Sequence, residues 1–274
     1  MVRVALFQAQ SGIDGKANAA ALVEAVDRAA AGGAAMLFTP EMSGLLDSDR
    51  ERARPSIVAD DEDETLAAVR EAAAGAGMWV SLGSLAVLAE DGRFANRGFV
   101  IDDAGAVRGR YDKIHLFDVD LPTGERWRES AAYRPGEQAV LVSGTPVGTL
   151  GMTICYDLRF PALFERLSEG GADTIIVPAA FTVPTGKAHW HILLRARAIE
   201  AGLFVIAAAQ GGHHQDGRRT FGHSLVVDPW GEVLLDMGEG GSPALAFADI
   251  DLARVADVRS RVPALQHRRP IPAI

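Results

Sequence analysis

The stretch that most constrains the fold of this chain runs from Gly148 to Pro161, reads GTLGMTICYDLRFP, and contains the only cysteine in the sequence. Its first half is apolar and β-prone, and its glycines allow a neighbouring backbone to approach closely. Asp157 stands where it can cap a helix that begins near Leu158. The pattern predicts a strand-to-helix turn with Cys155 at its centre, and such a turn exposes a side chain at the carboxyl end of a strand.

Cys155 is therefore a candidate nucleophile. A turn of this kind points the amides that follow it, including the amide of Tyr156, toward whatever the sulfur attacks. The alternative is a buried and inert thiol, because free cysteine is among the most frequently buried residue types. Evidence from other parts of the chain is needed to decide between these two interpretations.

Strand-like and helix-like segments alternate along the chain, which is typical of the α/β class. Strands are predicted at 2–10, 35–39, 79–88, 97–101, 106–111, 148–155, 174–177, 203–209 and 246–250, with a hairpin over 224–235. Helices are predicted at 18–31, 60–75, 158–170 and 187–201, and the proline-rich tail from 263 to 274 is expected to fray or to dock on a partner subunit. Because 48% of the 274 residues are hydrophobic and no composition break divides them, we expect one domain over residues 1–274.

Charge and cysteine content exclude several classes of function. The formal net charge of −9 disfavours nucleic acid or an anionic membrane as the partner. A single cysteine forbids an internal disulfide, and the first residues form a short strand-like run rather than the long apolar region of a signal peptide. No stretch approaches the ~18 apolar residues of a membrane span. These features predict a cytoplasmic protein.

Two more reactive side chains follow predicted strands. Glu41 comes directly after Pro40, which stops the second strand, and Lys113 follows the strand that ends at Tyr111. Ligands collect at the carboxyl ends of strands in open α/β sheets. A long polar loop to Gly136 follows and adds further candidates, since such loops are often functional. Those loop candidates are His115, Asp118 and Glu129. Taken singly, each of these residues could equally be an ordinary solvated side chain.

Other chemistries find little support in the sequence. The spacing of the seven histidines and one cysteine matches no zinc motif, although His213 and His214 could hold an adventitious metal. There is no phosphate-binding Gly-x-x-x-x-Gly-Lys-Ser/Thr run. Ser224 lies in half of a serine-hydrolase motif, but the second glycine is missing and the serine leads into a strand.

Three blocks of the sequence together resemble the signature of a known family. They are PEM at 40–42, YDKIHLFD at 111–118 and GMTICYDLRFP at 151–161. In this order and at these separations they are similar to the signature blocks of the nitrilase superfamily of carbon-nitrogen hydrolases. Segments of the second half, including PAAFT at 178–182 and GHSLVVDPWG at 222–231, are most similar to its Nit branch. The resemblance covers the whole chain and favours Cys155 as a nucleophile.

The resemblance implies a role for each reactive residue. Glu41 matches the general base, and Lys113 matches the cation that stabilises an oxyanion together with the amide of Tyr156. A neighbouring cation of this kind is expected to lower the pKa of Cys155. Glu129 matches a second glutamate that positions the substrate and the lysine, although Glu125 and Glu137 lie nearby in a loop of variable length. That matching set implies an amidase that needs no metal and no organic cofactor.

The resemblance also implies a substrate, a fold and an assembly. Members of the Nit branch act on small dicarboxylic monoamides or on deaminated glutathione through a thioester, with release of ammonia. Arg159 occupies a position that suits a substrate carboxylate, or else it pairs with Asp157 or Glu165. Phe181 and Thr182 are expected to line the pocket with Tyr156. The implied fold is a four-layer α-β-β-α sandwich, usually a homodimer or a larger homo-oligomer.

Three alternatives stay open at this point. A nitrilase or an N-carbamoyl amino acid amidohydrolase would use the same residues, and a non-catalytic binding or scaffold protein is a more remote possibility. Arg195 and Arg197 are candidate interface groups; their other interpretation is pairing within the chain, with Glu200 or a nearby acid.

Overall fold

The fold was analysed in a computed structural model that describes residues 1–120, 124 and 126–272. Two six-stranded sheets dominate it, with strand orders β16-β1-β2-β3-β4-β5 and β15-β14-β11-β10-β9-β8. The first sheet contains β1 (Val2–Gln8), β2 (Met36–Phe38), β3 (Trp79–Leu88), β4 (Phe94–Ile101), β5 (Val107–Asp112) and β16 (Ala244–Ile250). The second contains β8 (Val140–Thr145), β9 (Gly148–Met152), β10 (Thr174–Ile176), β11 (Phe204–Ala207), β14 (Leu225–Val227) and β15 (Val233–Asp236).

The helices and two short hairpins complete the described part of the fold. The helices are α1 (Gly15–Ala31), α2 (Arg50–Ala53), α3 (Glu64–Ala76), α4 (Pro161–Glu169), α5 (Val183–Ala201) and α6 (Ala253–Arg261). The hairpins pair β6 (Asp118–Asp120) with β7 (Arg126–Arg128), and β12 (Gly211–His213) with β13 (Arg219–Phe221). Parts of the predicted loop and tail, at 121–123, 125 and 273–274, lie outside the described residues.

The two large sheets repeat one pattern. In each sheet three parallel strands form the centre, β1-β2-β3 in the first and β9-β10-β11 in the second. Antiparallel strands flank them on both sides, namely β16 and β4-β5 in the first sheet, and β8 and β14-β15 in the second. The carboxyl ends of the central strands and of β5 therefore lie at one edge of each sheet, where loops bring the reactive residues together.

Alternation of side chains along β1 shows how the layers pack. Val4 and Leu6 belong to the core cluster shared with β9 and β10 of the second sheet. Ala5 and Phe7 point the other way, into a second cluster with residues of α1 and α3. A strand with both faces buried reads as a continuous apolar run, as the sequence does here. The helices α4 and α5 cover the far side of the second sheet, so the predicted four-layer α-β-β-α sandwich is confirmed.

Several element boundaries differ from the prediction. The helix after the cysteine does not begin at Leu158: a 3-10 helix spans 155–159, and α4 starts only at Pro161, since proline is accommodated in a first helical turn. Asp157 does not cap α4. The helix α5 begins at Val183 rather than at Lys187, for the same reason, with Pro184 in its first turn. The helices α2 and α6 and the strands β6, β7, β8, β12 and β13 were not predicted, and β6 and β7 lie in the region expected to be a loop.

Candidate active site

Cys155 lies at a sharp turn between β9 and the 3-10 helix, as predicted. Its φ of +49° falls in the left-handed region, which residues other than glycine rarely adopt. The Cys155 N–H donates to the carbonyl of Pro178 at 2.9 Å, which anchors the turn to the segment after β10. The amide of Tyr156 follows in the first turn of the 3-10 helix, where N–H groups have no partner within the helix. The turn thus places a thiol next to an N–H that has no acceptor within the 3-10 helix.

Glu41 is held with both carboxylate oxygens occupied. Oε1 accepts hydrogen bonds from Nζ of Lys113 at 2.8 Å and from Nδ2 of Asn96 at 2.9 Å. Oε2 accepts from the N–H of Ala180 at 3.0 Å. The side chain is buried and comes from the loop after β2, so it reaches from the edge of the first sheet to a backbone amide of the second. Its orientation is therefore fixed by three donors.

Lys113 lies between two carboxylates, at the end of β5. Its Nζ donates to Glu41 and also to Oε2 of Glu129 at 2.9 Å. Glu129 is fixed in turn by the N–H of Phe117, which donates to Oε2 at 2.7 Å. We call Glu41, Lys113, Glu129 and Cys155 the buried cluster. The structure places Glu129, and not the exposed Glu137, against the lysine, while Glu125 lies outside the described residues.

The electrostatics of the buried cluster keep its proton on the sulfur at rest. Burial raises the pKa of Glu41, but the charge and hydrogen bond of Lys113 outweigh this and hold the pKa below its ordinary value of 4.5. Burial lowers the pKa of Lys113, yet the charges of Glu129 and Glu41 more than offset it and the pKa lies well above 10.5. The carboxylate and the ammonium are thus both ionised at neutral pH.

The thiol itself differs from the prediction. Burial, followed by the negative charge of Glu41, raises the pKa of Cys155 well above its ordinary value of 9.0. Lys113 and the amide of Ala180 act in the expected direction without reversing that shift. The expectation of a lowered pKa was therefore wrong, because the adjacent carboxylate and the dry surroundings dominate. The arrangement is a thiol next to a base rather than a preformed thiolate.

Sequence reasoning missed Asn96 and assigned Asp157 another role. Asn96 donates to Glu41 and also to Oε1 of Glu129 at 3.2 Å, which ties both carboxylates together. A polar residue in the middle of the apolar strand β4 was the available signal. Asp157 is fully buried and accepts from the hydroxyl of Tyr111 at 2.7 Å and from the N–H of His115 at 3.0 Å. Asp157 thereby connects the nucleophile turn to the loop that carries Lys113.

A cavity of about 670 Å³ opens above the buried cluster, and all four members of the cluster line it. The predicted wall residues Tyr156, Phe181 and Thr182 line it as well. Aromatic side chains and arginines form nine of the 21 other lining positions. They are Phe94, Phe117, Trp127, Tyr133, Arg50, Arg126, Arg128, Arg218 and Arg219. A pocket of this size with few polar groups at its base suits a small organic molecule that carries negative charge.

Arg159 lies beside this wall and is not among the residues that line the cavity. Its guanidinium lies over the rings of Tyr156 and Phe181, at 5.9 and 5.7 Å from their centroids, and 3.2 Å from Nδ1 of His189. Within the described residues it makes no ion pair. Asp157 instead binds Tyr111 and His115, and Glu165 pairs with Arg268.

The other candidates have structural partners. Arg197 is buried, pairs with Glu200 at 2.8 Å and donates to the carbonyl of Leu158, while Arg195 donates to the carbonyl of Gly231. Both arginines are thus engaged within the chain. The hydroxyl of Ser224 accepts from the N–H of Ala209 in the core.

The predicted metal pair is also not a joint binding site. His213 is exposed, but both ring nitrogens of His214 are engaged, with the carbonyl of Ser11 at 2.9 Å and the hydroxyl of Thr220 at 2.7 Å. Separately, none of the helices in the described part of the chain combines the length and the apolar character needed to cross a bilayer.

A two-sheet sandwich with a buried glutamate, lysine and cysteine at the edge where its strands end defines a class of hydrolytic enzyme with a thiol nucleophile. The profile of the carbon-nitrogen hydrolase family matches residues 3–260, and the chain belongs to this family. The expectations of a nitrilase-superfamily fold and of an enzyme that hydrolyses carbon-nitrogen bonds are therefore confirmed.

Three similar proteins refine this assignment. A deaminated glutathione amidase of Yersinia enterocolitica is 40% identical over 272 residues, which cover 97% of this chain and 92% of that protein. The NitFhit protein of C. elegans superimposes with a TM-score of 0.88 at 37% identity, covering 98% of this chain and 65% of that longer one. An amidase from Nesterenkonia sp. AN1 has a TM-score of 0.82 at 27% identity, covering 98% of this chain and 94% of that one. The latter structure shows the acetamide moiety of fluoroacetamide added covalently at the active-site cysteine.

Proposed function

We propose that this protein is an amidase that hydrolyses the carbon-nitrogen bond of a small amide carrying a carboxylate, through a thioester on Cys155. The observation that carries the proposal is the buried cluster, in which a fixed carboxylate and a fixed ammonium flank the only thiol of the chain. The names of the relatives support deaminated glutathione, or an ω-amide of similar chemistry, as the substrate.

The first half of the reaction begins with Glu41 as general base. Glu41 takes the proton of the Cys155 thiol as the sulfur attacks the amide carbon, so that a neutral thiol becomes a nucleophile only when substrate is present. The carbonyl oxygen becomes an oxyanion, which Lys113 and the amide of Tyr156 stabilise. The carbon-nitrogen bond then breaks, Glu41 returns the proton to the nitrogen, and ammonia or an amine leaves.

The second half regenerates the enzyme. Glu41, again a carboxylate, takes a proton from water as the oxygen attacks the thioester carbon, and the sulfur leaves as the product acid forms. The thiolate recovers the proton from Glu41. Glu129 takes part in no proton transfer of this scheme; it holds Lys113 in place through its 2.9 Å hydrogen bond and is a positioning residue.

Carboxylate recognition rests on the cations around the cavity. The wall carries several arginines, and Arg159 lies behind Tyr156 and Phe181 with no carboxylate partner in the described part of the structure. We assign Arg159 to recognition of the substrate carboxylate, together with Phe181 and Thr182 as the pocket wall. A small shift of the aromatic side chains would bring its planar guanidinium into the cavity.

The proposal also covers the domain organisation, the location and the oligomeric state of the protein. We propose one domain, a cytoplasmic location, and a homodimer or larger homo-oligomer that forms through the outer face of α5. Exposed apolar side chains on and beside that helix support the assembly, with Ile192 69%, Ile199 53% and Trp230 56% exposed. Analytical ultracentrifugation of the wild type and of Ile199→Glu tests it, and a monomeric wild type would contradict it.

The test of the activity is a substrate panel with wild type and Cys155→Ala. The panel contains α-ketoglutaramate, succinamate, deaminated glutathione, aliphatic amides, N-carbamoyl amino acids and nitriles, with ammonia and free amine both measured. We expect turnover of the acidic amides that disappears in the variant. Turnover of nitriles or carbamoyl compounds alone would replace the amidase assignment, and turnover that survives in Cys155→Ala would refute the mechanism.

A further inference from the structure

The described residues contain one group of three side chains whose geometry suits a metal ion, and one of the three belongs to α5. His191, His223 and Asp236 each offer one ligand atom, and these atoms all lie within 4.8 Å of one another. We call these three residues the surface cluster. The geometry points to a zinc site that goes beyond the proposed amidase function.

The distances between the ligand atoms fit a single ion. Oδ2 of Asp236 lies 3.0 Å from Nε2 of His191 and 3.1 Å from Nδ1 of His223. Ligands at the usual zinc distances in a tetrahedron lie roughly 3.3 Å apart. The rings of the two histidines are 5.0 Å apart at an angle of 74°, so both can aim a nitrogen at one point.

The three ligands come from three separate elements that are fixed independently. His191 lies in the middle of α5, and Asp236 ends β15, where its Oδ1 also accepts from the N–H of Gly238 at 2.9 Å. His223 adopts a left-handed backbone with φ +55°, and its carbonyl accepts from Nε1 of Trp190 at 2.8 Å. A strained backbone that aims a histidine at a shared carboxylate is typical of a built site rather than of a chance surface contact.

The donor set favours zinc over the hard cations. Two imidazoles and one carboxylate suit zinc, whereas calcium and magnesium prefer oxygen ligands only. The side chains of the three ligands are 36%, 18% and 34% exposed, which leaves a fourth position open to water. Each neutral imidazole can keep its one proton on the nitrogen that faces away from the ion, so binding needs no other group to accept a proton.

A bound ion would fasten the middle of α5 to β15, the edge strand of the second sheet. The fully buried Trp190 and the wall residue Phe181, with ring centroids 4.7 Å apart, separate the surface cluster from the cavity. None of the three ligands lines the cavity, so we expect the ion to act on stability, through the wall of the pocket that α5 supports.

The test uses untagged protein stripped with a chelator and titrated with Zn²⁺ in competition with a chromophoric chelator. We expect one tight site per chain, with affinity reduced by about tenfold or more in both His191→Gln and Asp236→Asn. Two variants on different elements guard against a local folding defect in one of them, and circular dichroism checks both. The matched control is His213→Gln, an exposed histidine outside the cluster, which we expect to bind like wild type.

A second measurement gives an independent readout. Saturating Zn²⁺ should raise the Tm of wild type and of His213→Gln, and it should leave the Tm of His191→Gln unchanged. Equal Zn²⁺ affinity in wild type and in both cluster variants would overturn the proposal, as would the absence of a site in a folded wild type. Neither result depends on amidase activity.

Discussion

The buried cluster and the surface cluster are both small groups of ionisable side chains drawn from distant parts of the chain, yet their surroundings differ. In the buried cluster the side chains of Lys113 and Glu41 are 2% and 6% exposed and every charge has an opposite charge within 3 Å. In the surface cluster the side chains are 18% to 36% exposed, and the two histidines share one carboxylate.

The difference in solvent exposure determines what each cluster can do. Removal of water makes each charge in the buried cluster depend on its partner, because an unpaired charge in the interior is strongly unfavourable. In the buried cluster the same ion pairs therefore support both stability and chemistry. In the surface cluster water can replace any missing partner, so its side chains can exchange hydrogen bonds for a metal ion at little expense to the fold.

The largest expected effect follows Cys155→Ala. Because this variant removes the only sulfur nucleophile, we expect kcat to fall to the background rate for every substrate of the wild type. The free energy of unfolding should change by no more than about 1 kcal/mol, since one buried atom is lost. Steady-state kinetics and urea unfolding measure both quantities. Residual turnover well above background would show that the sulfur is not the nucleophile.

Lys113→Met should show that a buried cation supports stability as well as activity, in contrast to an exposed one. The variant leaves two buried carboxylates without their shared cation, so we expect the free energy of unfolding to fall by about 3–5 kcal/mol, together with loss of turnover. Lys187→Met is the matched control, because that lysine is exposed and 4.0 Å from Glu239 near the surface cluster. Its effect should stay within about 0.5 kcal/mol. Equal changes in the free energy of unfolding of the two variants would show that burial of the lysine does not determine its contribution to stability.

The lowered pKa of Glu41 predicts how the stability of the protein changes at acidic pH. Its pKa lies below the ordinary value, so the stability it contributes is present above the pKa of the unfolded chain and is lost as pH falls through the folded pKa. Between pH 7 and acid, the Tm of wild type should fall more steeply than that of Glu41→Gln below about pH 4.5. At pH 7 the variant should lose a factor of about 10²–10⁴ in kcat. Parallel Tm curves, or unchanged kcat, would contradict the assigned role.

Local patterns predicted the positions of the reactive residues but not how they are held. Glu41, Lys113 and Cys155 each follow a strand, and the shared edge of a sheet brings strand ends together, so strand ends made them candidates, while the family resemblance implied their roles. Asp157 is an example of a residue whose contacts local patterns did not predict. Its spacing suggested a local helix cap, while the structure engages it with Tyr111 and His115, 46 and 42 residues away.

The surface cluster is a stronger example of contacts that local patterns did not predict. Its members come from a helix, a turn and an edge strand, and no spacing motif connects residues 191, 223 and 236. The sequence pointed instead to adjacent histidines, of which His214 is fully engaged with Ser11 and Thr220. Residues that meet only through packing of separate elements leave no periodic signal.

The smallest effect concerns Arg159, which lies outside the buried cluster and should alter binding without altering the chemistry. Loss of a charge-assisted contact to a carboxylate is worth about 1.5–3 kcal/mol, so Arg159→Ala should raise the KM for an acidic amide by roughly 10- to 100-fold. The kcat for a neutral aliphatic amide should stay unchanged, because the buried cluster is intact. Arg166→Ala, at a side chain 76% exposed, is the control. An equal loss of kcat/KM for acidic and neutral amides would mean that Arg159 supports the rings of Tyr156 and Phe181 rather than the substrate, and the carboxylate would then have to be bound by the arginines that line the cavity itself.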